Sequence, residues 1–488
     1  MTFGSGVAAG WHDRRRRLRG AYVVPEWVLA AVVGLALGLV VVRNVAAPSL
    51  SAKVVLVAAF ASFVAMVVGT LRRLLLTVVI VDIAFRWDVN LFYREDAAAL
   101  GALGGFNISA TTLALTGLYA LWLAELLARS AAAARPAVRA ALPLLAFTAV
   151  TALSLVVARD RMLAGFEVEL LVELSLLFLY VASTVRSEAD VRFVATMLVV
   201  VLLLAAIVIA AGGRLSGLPL GSASVRYDAA EGGLARAGGT IGSPNAAGTF
   251  LAFLLAPALV LLATPISRRW KALASVAFAV GLVALVLTFS RGGWLAFGVS
   301  IALLGVVAAG RRLVSPGLLL ATGVAVAVLL LPFYGLISAR LAGGDASAES
   351  RGPLMALAWE MVRDRPLLGV GANNFVLAIP DYAGPDFASD WLYAVHNKFL
   401  QVWAEAGTAA LLAFVWFLAA TIGRGWRVWR AHDPFASPLA LALAASVVGQ
   451  VANMFVETYH ARPQMQLLCV VAALLAAMSR MQRAEARR

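Results

Sequence analysis

391-WLYAVHNKFLQVWAEAGTAALLAF-414 closes the longest hydrophilic excursion of the chain and turns into an apolar run. The run must cross a membrane as a helix, and His396 and Asn397 stand at its mouth. An imidazole ordinarily titrates near neutral pH, so a histidine placed where water meets a protein cavity can take a proton from a hydroxyl. The plainer reading is an interfacial histidine that anchors the helix. The protein has four histidines among 488 residues.

Outward from this stretch the chain keeps the same character. It is 62% hydrophobic, with a mean hydropathy of +0.90. Apolar runs predict spans near 27–47, 51–70, 71–86, 106–127, 140–158, 167–185, 193–211, 245–264, 272–289, 293–310, 313–333, 396–420, 437–456 and 464–479. At roughly 20 residues per crossing, this is an all-α polytopic integral membrane bundle of about 12–14 transmembrane helices. It reads as a single integral membrane domain over 1–488, with a long extracytoplasmic loop at 334–395.

The net charge of +14 does not indicate nucleic acid. With the N-terminus inside, Arg14 to Arg17, Arg72, Arg73, Arg129, Arg135, Arg268, Arg269, Arg311, Arg312, Arg424, Arg427 and Arg430 all face the cytoplasm, as the positive-inside rule expects. The span at 71–86 is short and begins Leu71-Arg72-Arg73, yet omitting it would invert everything downstream. The first span follows WHDRRRRLRG without a small-residue cleavage site and reads as a signal anchor. Cys469 is the single cysteine, so no disulfide forms within the chain and no cysteine metal site is expected. No glycine-rich phosphate loop, HExxH or fixed-period repeat is present. Neither a metal nor a cofactor is expected.

Arginines on the outer side run against the charge bias, and three regions collect them. In 234-LARAGGTIGSPNAAGTFLAFLLA-256, Arg236 precedes a Gly-rich turn, and Pro244-Asn245 opens a span whose amides would suit an anion. An ordinary helix start with Pro in its first turn explains the same letters. In TFSRGGWLAF, residues 288–297, two spans are joined by a few residues that fix Arg291 at the membrane surface. Its planar fork matches phosphate oxygens, and a snorkelling arginine is the alternative. The third region is 350-SRGPLMALAWEMVRDRPLLGVGANNF-375. Leu354, Leu357, Ala358, Met361 and Val362 recur at helical spacing, which predicts a short amphipathic helix on the outer membrane face. Arg351 would start it, near Arg291 and His396.

Asn397, Gln401 and Glu405 share one stripe of the helix after His396. Glu405 is about 13 Å deeper at 1.5 Å per residue and is expected to bond within the bundle, not to orient His396. Asp381, Asp386 and Asp390 are open as partners for the imidazole.

Taken together, GTIGSPNAAGTF, TFSRGGWLAF, Arg351 with Trp359, DRPLLGVGANNF and HNKFLQVWAEAGTAALL occur in an order that resembles the O-antigen ligase/O-antigen polymerase superfamily. The resemblance spans 190–475, while 1–105 carries extra N-terminal spans without a matching motif. It implies a GT-C-like glycosyltransferase that is metal-independent and inverting. The donor would be an undecaprenyl-diphosphate-linked glycan, and the acceptor a hydroxyl on a glycan, lipid or protein. The enzyme would lie among the lipids of the bacterial cytoplasmic (inner) membrane, with its site facing the periplasm or cell exterior and no nucleic-acid partner. His396 maps to the family's essential histidine, Arg291 and Arg351 to its two outward arginines. Arg236, Asn245 and Asn397 join them as substrate-binding candidates. Ligases pass the glycan to the lipid A core of lipopolysaccharide, and polymerases to another lipid-linked repeat. A second possible site is the acidic group Asp88, Glu95 and Asp96. A different class, a lipid-linked oligosaccharide flippase, would use intramembrane acids such as Glu125, Glu173 and Glu405.

Overall fold

The structure is a computed structural model. It describes residues 71–128, 134–215, 220, 226–228, 235–310, 324, 331–335, 337–338, 351–384 and 393–486. The spans expected at 27–47 and 51–70, and nearly all of that at 313–333, lie outside the described residues. The chain divides into two compact units, 1–78 and 79–488. Helix α1, Leu71–Phe85, begins in the first unit and ends in the second.

The second unit is a helical bundle with two small hairpins. Strands β1 (Asp88–Leu91) and β2 (Phe106–Ser109) pair antiparallel, Asp88 opposite Ser109, around a short helix α2 (Glu95–Ala99). Then come α3 (Ala110–Leu127), α4 (Val138–Leu153), α5 (Arg161–Thr184) and α6 (Glu188–Ala211). A second hairpin, β3 (Arg226–Asp228) with β4 (Arg236–Gly239), leads to α7 (Pro244–Leu261), α8 (Arg268–Leu287) and α9 (Arg291–Gly310). Two short helices, α10 (Arg351–Asp364) and α11 (Phe375–Tyr382), precede α12 (Lys398–Trp429), α13 (Ala436–Met454) and α14 (Arg462–Glu485).

Among the described residues, nine helices are long and apolar enough to cross a membrane: α3, α4, α6, α7, α8, α9, α12, α13 and α14. The chain is an all-α polytopic membrane protein. Helix α5 has the length of a span but carries Glu167, Glu169 and Glu173. Those acids turn inward. Arg462, opening α14, donates to Glu173 at 2.9 Å and to Glu169 at 3.0 Å, and Gln466 and Thr112 complete the Glu173 carboxylate. A buried acid is tolerated at such depth when its oxygens are all paired. Glu173 is therefore part of a clamp between α3, α5 and α14.

Helix starts are set by side chains that satisfy free amides, which matters most where apolar surroundings offer no water. Asp160 accepts from Met162 and Leu163 at the start of α5, Ser187 and Asp190 form a capping box for α6, and Ser243 caps α7 with Pro244 at its first position. Helices α7, α13 and α14 are almost wholly enclosed. Polar groups hold them: Asn453 and Gln450 of α13 donate to Thr249 of α7.

Candidate active site

One end of the bundle gathers the starts of α7, α9, α10, α12 and α14 and the end of α13. It begins with a break in α12. Gly407 adopts φ +81°, ψ −179° inside the helix, a conformation open in practice to glycine alone. The break frees the carbonyls of Ala404 and Glu405, which accept from the amides of Val370 (2.9 Å) and Gly371 (2.9 Å). Thr408 in turn donates from its amide to the Pro366 carbonyl (2.8 Å). The stretch 366–371 is thus stitched into the gap. Gly369 and Gly371 also have positive φ. A Cβ at Gly369 would meet the Ala404 oxygen, and one at Gly407 the Leu367 oxygen.

Two asparagines fasten the same loop on its other side. Asn373 exchanges bonds with Leu103 (2.7 and 2.9 Å) and donates to Leu163, and Asn374 exchanges bonds with Asp160. Leu100 accepts from the Ala394 amide (3.1 Å). The 94–103 segment therefore packs beside the approach to His396. Glu405 accepts from the Phe375 amide at 3.2 Å. It thus holds the first amide of helix α11, and this bond does not go to His396.

Helix α10 forms as predicted, but its apolar face does not lie on lipid. Leu354, Leu357, Ala358, Met361 and Val362 are buried against Phe375, Val376, Ile379, Val395 and Ala404. The break in α12 and helix α11 supply a protein surface for that face, so the membrane is not needed to cover it. Trp359 meets Trp403 edge-on, with ring centroids 5.3 Å apart.

The candidate residues sit on this frame. His396 is 4% exposed and precedes the Asn397 cap of α12, with its ring 5.7 Å from that of Tyr393. Burial first, and then the charge of Arg351, push the imidazole down to about 4. Arg351, the first residue of α10, is thus within electrostatic reach of the histidine. Asn397 itself is occupied as the cap, its side-chain oxygen accepting from the Leu400 amide at 3.0 Å. Arg236 donates to the Asn245 side chain (2.6 Å), the Thr288 carbonyl (3.1 Å) and the Phe289 carbonyl (3.5 Å). It therefore binds the turn that delivers Arg291 to the start of α9. That turn is tight because Gly248 and Gly293 let α7 and α9 touch backbone to backbone. Gly292 faces Asn453 and Val456.

One acid at this end carries no motif. Glu457, in the turn between α13 and α14, is buried, and burial raises its carboxyl above the ordinary range. The Thr458 amide and hydroxyl donate to it, and Arg351 and Arg236 act on it electrostatically. No local pattern flags it; only the meeting of distant segments does. A second unflagged group lies beside it. Lys398, 1% exposed, donates to His460 Nδ1 at 3.3 Å, and His460 Nε2 lies 3.7 Å from Glu167.

The loop acids do not all come to the histidine. Asp381 is exposed and pairs with Arg159 at 3.2 Å; Asp386 and Asp390 lie outside the described residues. In the second possible site, Asp88 accepts from Asn107 and Arg86, and Asp96 pairs with Arg94 at 2.8 Å. Among the described residues, no group of three or more potential ligands could hold a metal.

Residues 276–415, from α8 through the break in α12, match the family model described as O-antigen ligase. That stretch is similar to the O-antigen ligase family. No curated protein matches the chain. The ligase-family segment contains Arg291, Arg351 and His396, while Arg236, Asn245 and Glu457 flank it. The family carries O-antigen ligase-like glycosyltransferase activity, with lipid-linked glycan and acceptor as its substrates in the membrane.

Proposed function

We propose that this protein transfers a glycan from undecaprenyl diphosphate to an acceptor hydroxyl at the outer face of a bacterial cytoplasmic membrane. The observation that carries the reading is the position of Arg351, which acts electrostatically on both His396 and Glu457. A buried base and a buried acid thus lie within reach of one cation. The acceptor oxygen attacks the anomeric carbon as the bond to diphosphate breaks, and the configuration inverts. The diphosphate departs with the bonding pair and gains negative charge. Arg351 and Arg291 stabilise it, in a place where water is scarce and charge interactions are strong. His396, neutral at working pH, takes the acceptor's proton. Arg236 holds the Arg291 turn, with Asn245 as its partner. Neither a metal nor a nucleotide sugar has a part in these steps.

The test uses purified protein in detergent with an undecaprenyl-diphosphate-linked glycan and candidate acceptors. A new glycosidic bond formed without any gradient supports transfer. A single transfer to lipid A core or protein marks a ligase, and growth of a polymer on the diphospholipid marks a polymerase. Absence of any bond formation, together with movement of the donor across sealed vesicles, would mean a flippase instead.

A further inference from the structure

At the end of the bundle away from His396, α4, α12 and α14 frame a groove of about 700 Å³. Five arginines line it: Arg139 of α4, Arg424 and Arg427 of α12, and Arg480 and Arg483 of α14. No acid does. Arg424 is 8% exposed. Its Nη2 donates to the Ala140 carbonyl (2.6 Å), and Phe178 lies 5.8 Å from its guanidinium carbon. Its Nη1 is buried and has no hydrogen-bond partner among the described residues. Leaving a buried charged donor unsatisfied is costly. Arg427 and Arg480 donate to backbone carbonyls, which leave their charge uncompensated. Among the described residues, none of the five forms an ion pair. Glu485, which follows Ala484 in sequence, is not among the lining residues.

The other wall of the groove is apolar. Pro143 and Trp416 continue it toward the middle of the spans, and Trp416 is half exposed. A ligand that fits both parts has an anionic head and hydrocarbon tails. We propose that this groove binds the phosphate diester of an anionic phospholipid drawn from the leaflet at that end. Arg424 is its buried anchor, Arg480 and Arg483 close over the head group, and an acyl chain runs along Trp416. The fork of a guanidinium matches two phosphate oxygens. Basic pockets between transmembrane helices are suited to such head groups. A diffuse attraction of surface arginines for a charged membrane would not need a buried, unsatisfied donor.

The experiment uses the full chain in detergent, with thermal unfolding and native mass spectrometry as readouts. Phosphatidylglycerol, phosphatidylcholine and inorganic phosphate are the probes, at equal concentration. Phosphatidylglycerol should raise the unfolding temperature and stay bound as one copy, and the other two should not. Arg424→Gln should weaken that binding about tenfold or more, since it removes the charged fork. Arg483→Gln, at the exposed rim, should weaken it less, and it carries the test if the buried variant does not fold. Equal protection by phosphatidylcholine, full protection by inorganic phosphate alone, or unchanged phosphatidylglycerol binding in the variants would overturn the proposal. The readouts concern lipid binding only, so their outcome is separate from glycan transfer.

Discussion

His396 stands in a drier and more positive place than its neighbours in sequence indicate. A base must be unprotonated, and burial with Arg351 nearby secures that by pushing the imidazole down to about 4. The same shift makes it a weaker base in the empty site. An anionic diphosphate would offset the Arg351 contribution and raise it again. The acid limb of kcat/KM, which reports the free enzyme, should therefore fall near pH 4, and that of kcat, which reports the bound complex, at higher pH. A kcat/KM limb at the ordinary 6.5 would show that another group is titrating. Replacing the ring by His396→Ala should lower turnover about 10²–10⁴-fold, the usual loss for a general base, with insertion and folding unchanged. Near-normal turnover in the purified variant would remove His396 from the mechanism. The arginines differ from the histidine in that they act on the ground state as well as the transition state. Lysine keeps the charge but loses the planar fork. Arg291→Lys and Arg351→Lys should thus weaken donor binding and turnover together, measured in one detergent preparation. Retention of both would leave these arginines as anchors in the membrane surface.

At the scale of the element, the break in α12 decides how the site is built. Gly407 holds a backbone conformation that costs other residues roughly 1–3 kcal/mol, and a Cβ there would also strike the Leu367 carbonyl. Gly407→Ala should lower the unfolding temperature and loosen the loop at 366–371. Gly423→Ala lies in the same helix with open space around it, and should be neutral or stabilise by up to about 1 kcal/mol through helix propensity. If the two variants unfold alike, the break is not fixed by Gly407. The sequence shows the partners of this break without showing that they are partners. DRPLLGVGANNF and HNKFLQVWAEAGTAALL are legible as separate motifs, and α10 is legible as an amphipathic helix from its 3.6-residue period. What covers its apolar face is not legible, because that depends on backbone carbonyls freed by one glycine in another element. Glu457 is hidden for the same reason. Its neighbours Arg351 and Arg236 are distant in the chain, and an isolated glutamate after a span carries no period or spacing of its own.

Across the whole molecule, the direction of each helix is the strongest constraint. Helix α12 is kinked at Gly407, but α14 runs from Arg462, just after the Glu457 turn, to Arg480 and Arg483 beside Arg424, so the His396 mouth and the arginine-rich turn lie at opposite ends. Buried neutral histidines at the mouth add a pH signature. His396 and His460 are both held down to about 4, chiefly by burial, against an ordinary 6.5. The unfolded chain takes up their protons first. Their contribution to stability is complete above about pH 6.5 and is lost as pH falls toward about 4. Unfolding temperature in detergent should drop across that window, and His460→Gln should flatten the drop; an unchanged slope would assign it to other groups. Which end faces the cell exterior is a separate matter, and charge decides the expectation. Arg424, Arg427 and Arg430 cluster between two spans, and the positive-inside rule places such a cluster in the cytoplasm. The chain's own thiol, Cys469, is buried in α14, so it gives little background for labelling. A cysteine introduced beside Asp386 should react with an impermeant thiol reagent in intact spheroplasts, and one beside Arg427 only after lysis. The reverse pattern would turn the bundle over and put the His396 mouth in the cytoplasm. There a donor displayed on the outer leaflet could not reach it, and the proposed transfer would fail on topology alone, whatever the arginines and the histidine are able to do.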